Sequence, residues 1–273
     1  VPTKQADLHV HTHFSDGTFS PKEVVECAVK KGLNAIAITD HDCVDGIDHA
    51  IKYAEGTGLE IIPGIEFTTE LDNREIHILG YFIDYKQGWF IKELEQLCQM
   101  RDNRMNKMLE CLSKYGVSIT MDEVKKISGE GSSGRLHLAT LLLKKGYVKS
   151  MQEAFDKFLG NGKACYVQGD RISPIKAISI ISKLKGVAVL AHPFTVGKDE
   201  LIPIFAKAGL KGIEVYHTDH NKSTSGRYEK IAQDLGLLKT GGSDCHGMNK
   251  GRVLMGTVTV PYSVVDKLKS FSG

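Results

Sequence analysis

A chain of 273 residues with 41% hydrophobic content can bury a substantial core, either as one large α/β unit or as a unit that carries an insert. Its formal net charge of +2 sets up no overall field for a long polyanion or an acidic membrane surface, and no stretch approaches the roughly 18 apolar residues of a membrane span. The cysteines at 27, 43, 98, 111, 165 and 245 form no C-x-x-C pair and read as reduced thiols. With no basic-then-apolar opening segment, the expectation is a soluble cytoplasmic protein that is not exported.

In chain order, Ala6 to Val10 reads as a strand. Ser20-Pro-Lys-Glu23 follows as a capping box, with Pro21 at the first position of a helix that ends near Gly32. Residues 34–39, 59–62, 65–70 and 75–82 are β-branched or alternating runs bounded by Gly, Pro or Asp-Asn, and the last two read as a hairpin. From about Gly88 to Gly162 the pattern turns helical, with Leu94, Leu97, Arg101, Met105, Met108, Leu109 and Leu112 at three-to-four spacing. A second capping box lies at Thr120 to Glu123. Strands resume at 186–191, 212–216, 237–240 and 254–260, with a Pro-started helix at Ser173 and another near Ser225 to Leu235. This alternation predicts an α/β fold, a parallel sheet closed into a barrel formed by 1–87 and 163–273, with 88–162 as a small helical insert.

The chemistry-bearing residues sit at the predicted strand ends. His9 and His11 close the first strand, Asp40 and His41 the second, and Glu66 follows the third. His77 lies on the fourth, His192 follows the apolar run ending at Ala191, and Asp244 and His246 follow 237–240 across a Gly-Gly-Ser turn. A parallel barrel gathers such ends on one face. Imidazole and carboxylate are the ligands expected for Zn, Mn or Fe, and the period of two in His9-x-His11 points both rings to one side. A single strand-end histidine is more often a hydrogen-bonded structural residue, but this many at successive ends would be costly to bury unpaired. Ligation is therefore predicted for His9, His11, Asp16, His41, Glu66, His77, His192, Asp244 and His246. His13 and His49 read as surface residues, and His217 and His220 stay open.

The run Asp7-Leu-His-Val-His-Thr-His-Phe-Ser-Asp-Gly17, with Ile38-Thr-Asp-His-Asp42, Pro63-Gly-Ile-Glu66, Leu190-Ala-His-Pro193 and Gly242-Ser-Asp-Cys-His246, resembles the signature of the PHP (polymerase and histidinol phosphatase) family. That resemblance implies a distorted (β/α)7 TIM-like barrel holding two or three divalent cations. His9, His11, Glu66 and Asp244 would hold one; Glu66, His77 and His192 a second; Asp16, His41 and His246 a third. Some members have histidine at the position of Asp16, and a carboxylate there favours a harder ion, so Mn is expected, with Zn or Fe open.

Within the insert, Gly134-Arg-Leu-His-Leu-Ala139, Gly146-Tyr-Val and Glu153-Ala-Phe-Asp-Lys-Phe-Leu-Gly160 are similar to the PHP subgroup of nucleoside 3′,5′-bisphosphate phosphatases and RNase AM-like 5′-to-3′ exoribonucleases. Arg135 offers a planar fork for phosphate, His137 a second donor, and the Gly131-Ser-Ser-Gly134 loop, with Ser133, a set of backbone N–H groups. The expected activity is hydrolysis of a small phosphorylated substrate by metal-activated water, either a nucleoside 3′,5′-bisphosphate or short RNA, with His192 or Asp244 as candidate proton carriers. The competing readings are a phosphatase for another phosphomonoester such as histidinol phosphate, an amide or lactone hydrolase, and a metal-binding module without catalysis.

Overall fold

The computed structural model describes residues 3–128, 133–168, 171–249 and 251–272. The strands are β1 (Gln5–Val10), β2 (Ala35–Ile38), β3 (Glu60–Leu71), β4 (Arg74–Tyr81), β5 (Val187–Leu190), β6 (Gly212–His217), β7 (Leu238–Gly242) and β8 (Val260–Pro261). The helices are α1 (Pro21–Lys30), α2 (Asp45–Ala54), α3 (Gly88–Lys114), α4 (Met121–Ser128), α5 (Arg135–Lys144), α6 (Met151–Ala154), α7 (Pro174–Lys183), α8 (Ile202–Lys207), α9 (Lys222–Asp234) and α10 (Ser263–Phe271). None of the described helices is long and apolar enough to cross a membrane.

The strands form one mixed sheet in the order β7-β6-β5-β4-β3-β2-β1-β8. Val10 bridges Cys245 just past β7, and His11 N donates to Cys245 O at 3.0 Å, which bends the sheet into a nearly closed barrel. Periodicity of two buries both faces. Ala35 and Ala37 join one apolar cluster with Leu8, Leu79, Val187 and Val189, while Ile36 and Ile38 join another with the flanking helices. Val265 and Leu268 of α10 complete the first cluster, and Tyr262 N bonds Lys4 O beside the start of β1. That end is therefore plugged with apolar side chains, leaving the opposite, C-terminal strand ends for polar groups.

Both capping boxes form. Ser20 and Glu23 exchange side-chain bonds to backbone N–H groups at the start of α1, and Thr120 and Glu123 do the same at α4. Three sequence expectations are corrected. The sheet is mixed where a parallel one was expected: the expected hairpin forms as β3-β4, but β4 is antiparallel to β5 as well, and β8 runs antiparallel to β1. The runs 59–62 and 65–70 are one strand, since Pro63 sits opposite Ile38 without breaking the ladder. The strand expected over 254–260 shrinks to Val260–Pro261, because Gly256 turns the chain at positive φ and gives its N–H to Asp7 Oδ2 at 2.9 Å.

The first turns of α3 pack on the barrel through Phe90, Leu94 and Leu97, whereas Met105, Met108, Leu109 and Leu112 enter a separate cluster with α4, α5 and the π-helical turn Phe155–Leu159. Arg101 and Arg104 fall at the junction. A further correction concerns the thiols: Cys111 at the end of α3 is disulfide-bonded to Cys165, leaving Cys27, Cys43, Cys98 and Cys245 free. Folding of the helical segment brings the two together across 54 residues of sequence, a proximity that no local spacing pattern could reveal.

Candidate metal centre

At the open end of the barrel, Glu66 lies at the centre of five imidazoles. Its Oε2 is 3.1 Å from His9 Nε2, 3.2 Å from His11 Nε2 and 3.4 Å from His41 Nδ1. Its Oε1 is 2.8 Å from His77 Nδ1 and 3.0 Å from His192 Nε2. Asp244 Oδ1 faces His11 at 3.3 Å, His246 at 3.4 Å and His9 at 3.5 Å. Asp16 Oδ1 lies 3.1 Å from His246 Nε2 and its Oδ2 lies 3.8 Å from His41 Nε2. The structure thus brings every sequence-predicted ligand into one constellation. His13 and His49 lie on the surface.

Two of the positions predicted to ligate carry backbone strain. His192 has φ 23° and Asp244 φ 51°, both in the left-handed region that such residues seldom adopt. Asp40 supports the centre instead of joining it: its carboxylate accepts from Thr12 N and Thr12 Oγ1, each at 2.7 Å, and from Ser15 Oγ at 2.6 Å, fixing the loop that carries Asp16.

Burial disfavours charge on Glu66, Asp16 and Asp244, yet the surrounding imidazoles overcome it and hold all three well below the usual carboxylate range. Burial pushes His41 down to about 3. Burial also opposes charge on His77 and His246, but Glu66 and Asp16 respectively push them up to about 9. The donor set fits divalent cations. Groups such as His11, Asp16, His41 and His246, or His9, His11 and Asp244, present ligand atoms within 4.8 Å of one another, and the buried His11 Nε2 has no hydrogen-bond partner among the described residues.

Glu214 and Glu75 escaped the sequence reading, and His217, left open there, joins the centre. Glu214, fully buried on β6, takes His9 Nδ1 on Oε1 at 2.9 Å and the His192 backbone N–H on Oε2 at 2.8 Å. His217 Nε2 lies 3.4 Å from Asp244 Oδ2, and His9, Glu214 and His217 form a further group of ligand type. Glu75 holds His77 Nε2 at 2.9 Å and Arg135 at 2.7 Å. A signal for Glu75 was present: it is two residues before His77 on one strand, hence on the same face.

Beside the centre is a cavity of about 160 Å³, lined by Asp16, His41, His77 and His246 together with Arg101, Arg104, Arg135 and Arg171. Arg135 lines it as expected for a phosphate contact, though Glu75 and Leu159 O now hold its guanidinium. His137 Nδ1 accepts from Gly134 N at 3.1 Å and so caps α5. Ser133 is buried and its carbonyl accepts from Arg101 Nη1 at 3.2 Å. Of the loop expected to offer backbone N–H groups, Gly131 and Ser132 lie outside the described residues.

Residues 7–168 match the model of the PHP domain. The chain is 33% identical over 249 residues to a 5′-3′ exoribonuclease of Haemophilus influenzae, covering 89% of this chain and 90% of that one. It is 31% identical over 251 residues to a 3′,5′-nucleoside bisphosphate phosphatase of Chromobacterium violaceum, covering 90% and 88%. A Bifidobacterium adolescentis protein described as a candidate metal-dependent phosphoesterase superposes with a TM-score of 0.91 at 30% identity, over 100% of this chain and 98% of the other. With signature residues from β1 to the end of β7 gathered around Glu66 and a family match over more than half its length, the chain belongs to the PHP domain family.

Proposed function

We propose that this protein is a metal-dependent phosphoesterase that removes the 3′-phosphate of nucleoside 3′,5′-bisphosphates. The observation that carries the reading is the juxtaposition of the Glu66-centred ligand cluster with an arginine-lined cavity. An amide or lactone substrate would give those arginines nothing to bind. His9, His11, Glu66 and Asp244 would hold one cation, Glu66, His77 and His192 a second, and Asp16, His41 and His246 a third. Mn is the proposed ion, because Asp16 adds a hard carboxylate to the last set. Bound there, the cations would supply positive charge to the phosphoryl oxygens and acidify a water molecule.

The protein's own residues orient the parts. Glu214 fixes the His9 ring from behind and ties down the strained backbone at His192, whose Nδ1 is held by Thr195 Oγ1 at 3.0 Å. Asp244 and His192 are the candidate proton carriers, but as proposed metal ligands their lone pairs are already committed, so the general acid is left unassigned. Arg135 is the proposed phosphate contact, reached by exchanging Glu75 for substrate oxygens. The barrel formed by 1–87 and 163–273 would supply the metal ligands, and the helical segment 88–162 most of the arginine wall. Cytoplasmic location loses the support of an all-thiol chain, given the Cys111–Cys165 bond.

Exonucleolysis of short RNA is the second reading, favoured by a second lobe of about 320 Å³ lined by His77, Phe155, Asn161, His192 and Thr195, with room for a neighbouring nucleotide. The test is to reconstitute metal-free protein with Mn and measure release from adenosine 3′,5′-bisphosphate, a 5′-phosphorylated RNA oligomer and an aryl acyl ester. Inorganic phosphate plus adenosine 5′-monophosphate from the first is the expected result; turnover of the acyl ester alone would refute the reading. Glu214→Gln is expected to weaken Mn binding about 10- to 100-fold in chelator competition, since an amide cannot accept from both partners. Unchanged affinity would remove Glu214 from its positioning role.

A further inference from the structure

The proposed metal ligands sit on or beside barrel strands, whereas Arg135 takes most of its surroundings from residues 155–166. Its guanidinium carbon lies 5.4 Å from the centre of the Tyr166 ring and 6.0 Å from that of Phe155, and Nη1 donates to Leu159 O at 3.2 Å. Two rings and a carbonyl from one segment thus hold the fork that Glu75 meets from the barrel. That segment has little regular structure of its own. Beyond the π-helical turn Phe155–Leu159, its backbone bonds run from Gly160 N to Phe155 O, Lys163 N to Gly160 O, Cys165 N to Phe158 O and Tyr166 N to Lys163 O, all internal to the segment. It is fastened to the helical cluster by the packing of Phe158, Leu159 and Val167 and by the covalent bond from Cys165 to Cys111. Cys111 belongs to α3, whose first turns are seated on the barrel through Phe90, Leu94 and Leu97. The disulfide therefore ties the neighbour of Tyr166 to a rod anchored in the barrel.

Resting on the phosphoesterase reading, we infer that the Cys111–Cys165 bond is a redox switch that sets the placement of Arg135 and so the affinity for substrate. Cys165 is 1% exposed and Cys111 only partly buried, so a thiolate enters at the Cys111 sulfur. A dithiol reductant attacks Cys111 Sγ and forms a mixed disulfide, while the electron pair of the S–S bond leaves on Cys165 Sγ, which takes up a proton. The second thiol of the reductant then attacks the mixed disulfide, closes the reductant's own disulfide and releases Cys111 as a thiol. Two electrons and two protons pass to the chain, and the proposed metal ligands are untouched. In the reduced chain the segment keeps its packing but loses its covalent tether, and the rings and the carbonyl around Arg135 are free to shift. The oxidised chain is the form with the higher affinity for substrate.

The experiment compares the full chain oxidised, reduced with dithiothreitol that is removed before Mn is added, and carrying Cys111→Ser, which cannot form the bond. KM for adenosine 3′,5′-bisphosphate is expected to rise about tenfold in the reduced chain and in Cys111→Ser, with kcat within about twofold and Mn affinity unchanged. Cys98→Ser, which removes an exposed free thiol, should leave that redox response intact. In Arg135→Gln the oxidised and reduced chains should share one KM, because the residue that reads the switch is gone. Equal KM for oxidised and reduced wild type overturns the switch, as does a redox response that persists in Arg135→Gln. If no phosphate ester turns over in either redox state, the phosphoesterase reading fails by itself, and hydrogen exchange of residues 155–168 in metal-free protein still decides the switch. Faster exchange on reduction, confined to that segment, is the expected result; equal exchange overturns the tether.

Discussion

Glu66→Gln is expected to lower phosphate release by about 10³-fold or more and to strip the protein of much of its bound metal, with the barrel still folded. Both carboxylate oxygens are committed, Oε1 to His77 and His192, Oε2 to His9, His11 and His41, and the side chain is 1% exposed. An amide preserves the shape but would supply no negative charge to the proposed cations, and places an N–H₂ group against imidazole nitrogens. Elemental analysis of purified variant and wild type, with a phosphate assay on the same samples, reads both effects. Activity within tenfold of wild type would contradict Glu66 as a ligand of the proposed cations.

Gly242→Ala should damage the same centre from behind. A Cβ at this position would stand 2.4 Å from both the backbone N and the Cβ of His9, neither of which is a flexible group able to swing aside. β1 would have to move away from the end of β7, where His11 N bonds Cys245 O and the barrel closes. Overpacking against backbone costs about 2–3 kcal/mol, or a fall of roughly 5–10 °C in Tm for a domain of this size. Metal affinity should fall with it, because His9 is displaced. A melting temperature within a degree of wild type would mean that β1 and β7 are not packed as described.

The ligand constellation was legible because its signal is local. His9-x-His11 uses the two-residue period of a strand, His41 and His192 follow apolar runs, Glu66 stands within one, and Asp244 and His246 follow the end of β7, so the barrel's own geometry assembles them. What sequence could not supply were the partners that meet only across the fold. Glu214 stands amid the apolar run of β6 and finds His9, 205 residues away. Cys111 and Cys165 likewise find each other only through the helical core. Arg101 was visible as a charged residue inside an apolar stripe of α3, but that stripe changes partners midway from the barrel to the helical cluster. The junction so created is where Arg101 and Arg104 turn to the cavity. His137 shows the opposite limit: a residue type suited to phosphate is placed with its Nδ1 capping its own helix.

The central claim, that this cluster binds catalytic cations, is tested most directly by titrating Mn into chelator-stripped protein while following phosphate release from adenosine 3′,5′-bisphosphate. The account predicts negligible release without metal and a rise that saturates at two or three equivalents per chain. Release by the stripped protein at the rate of the Mn-saturated protein would contradict it.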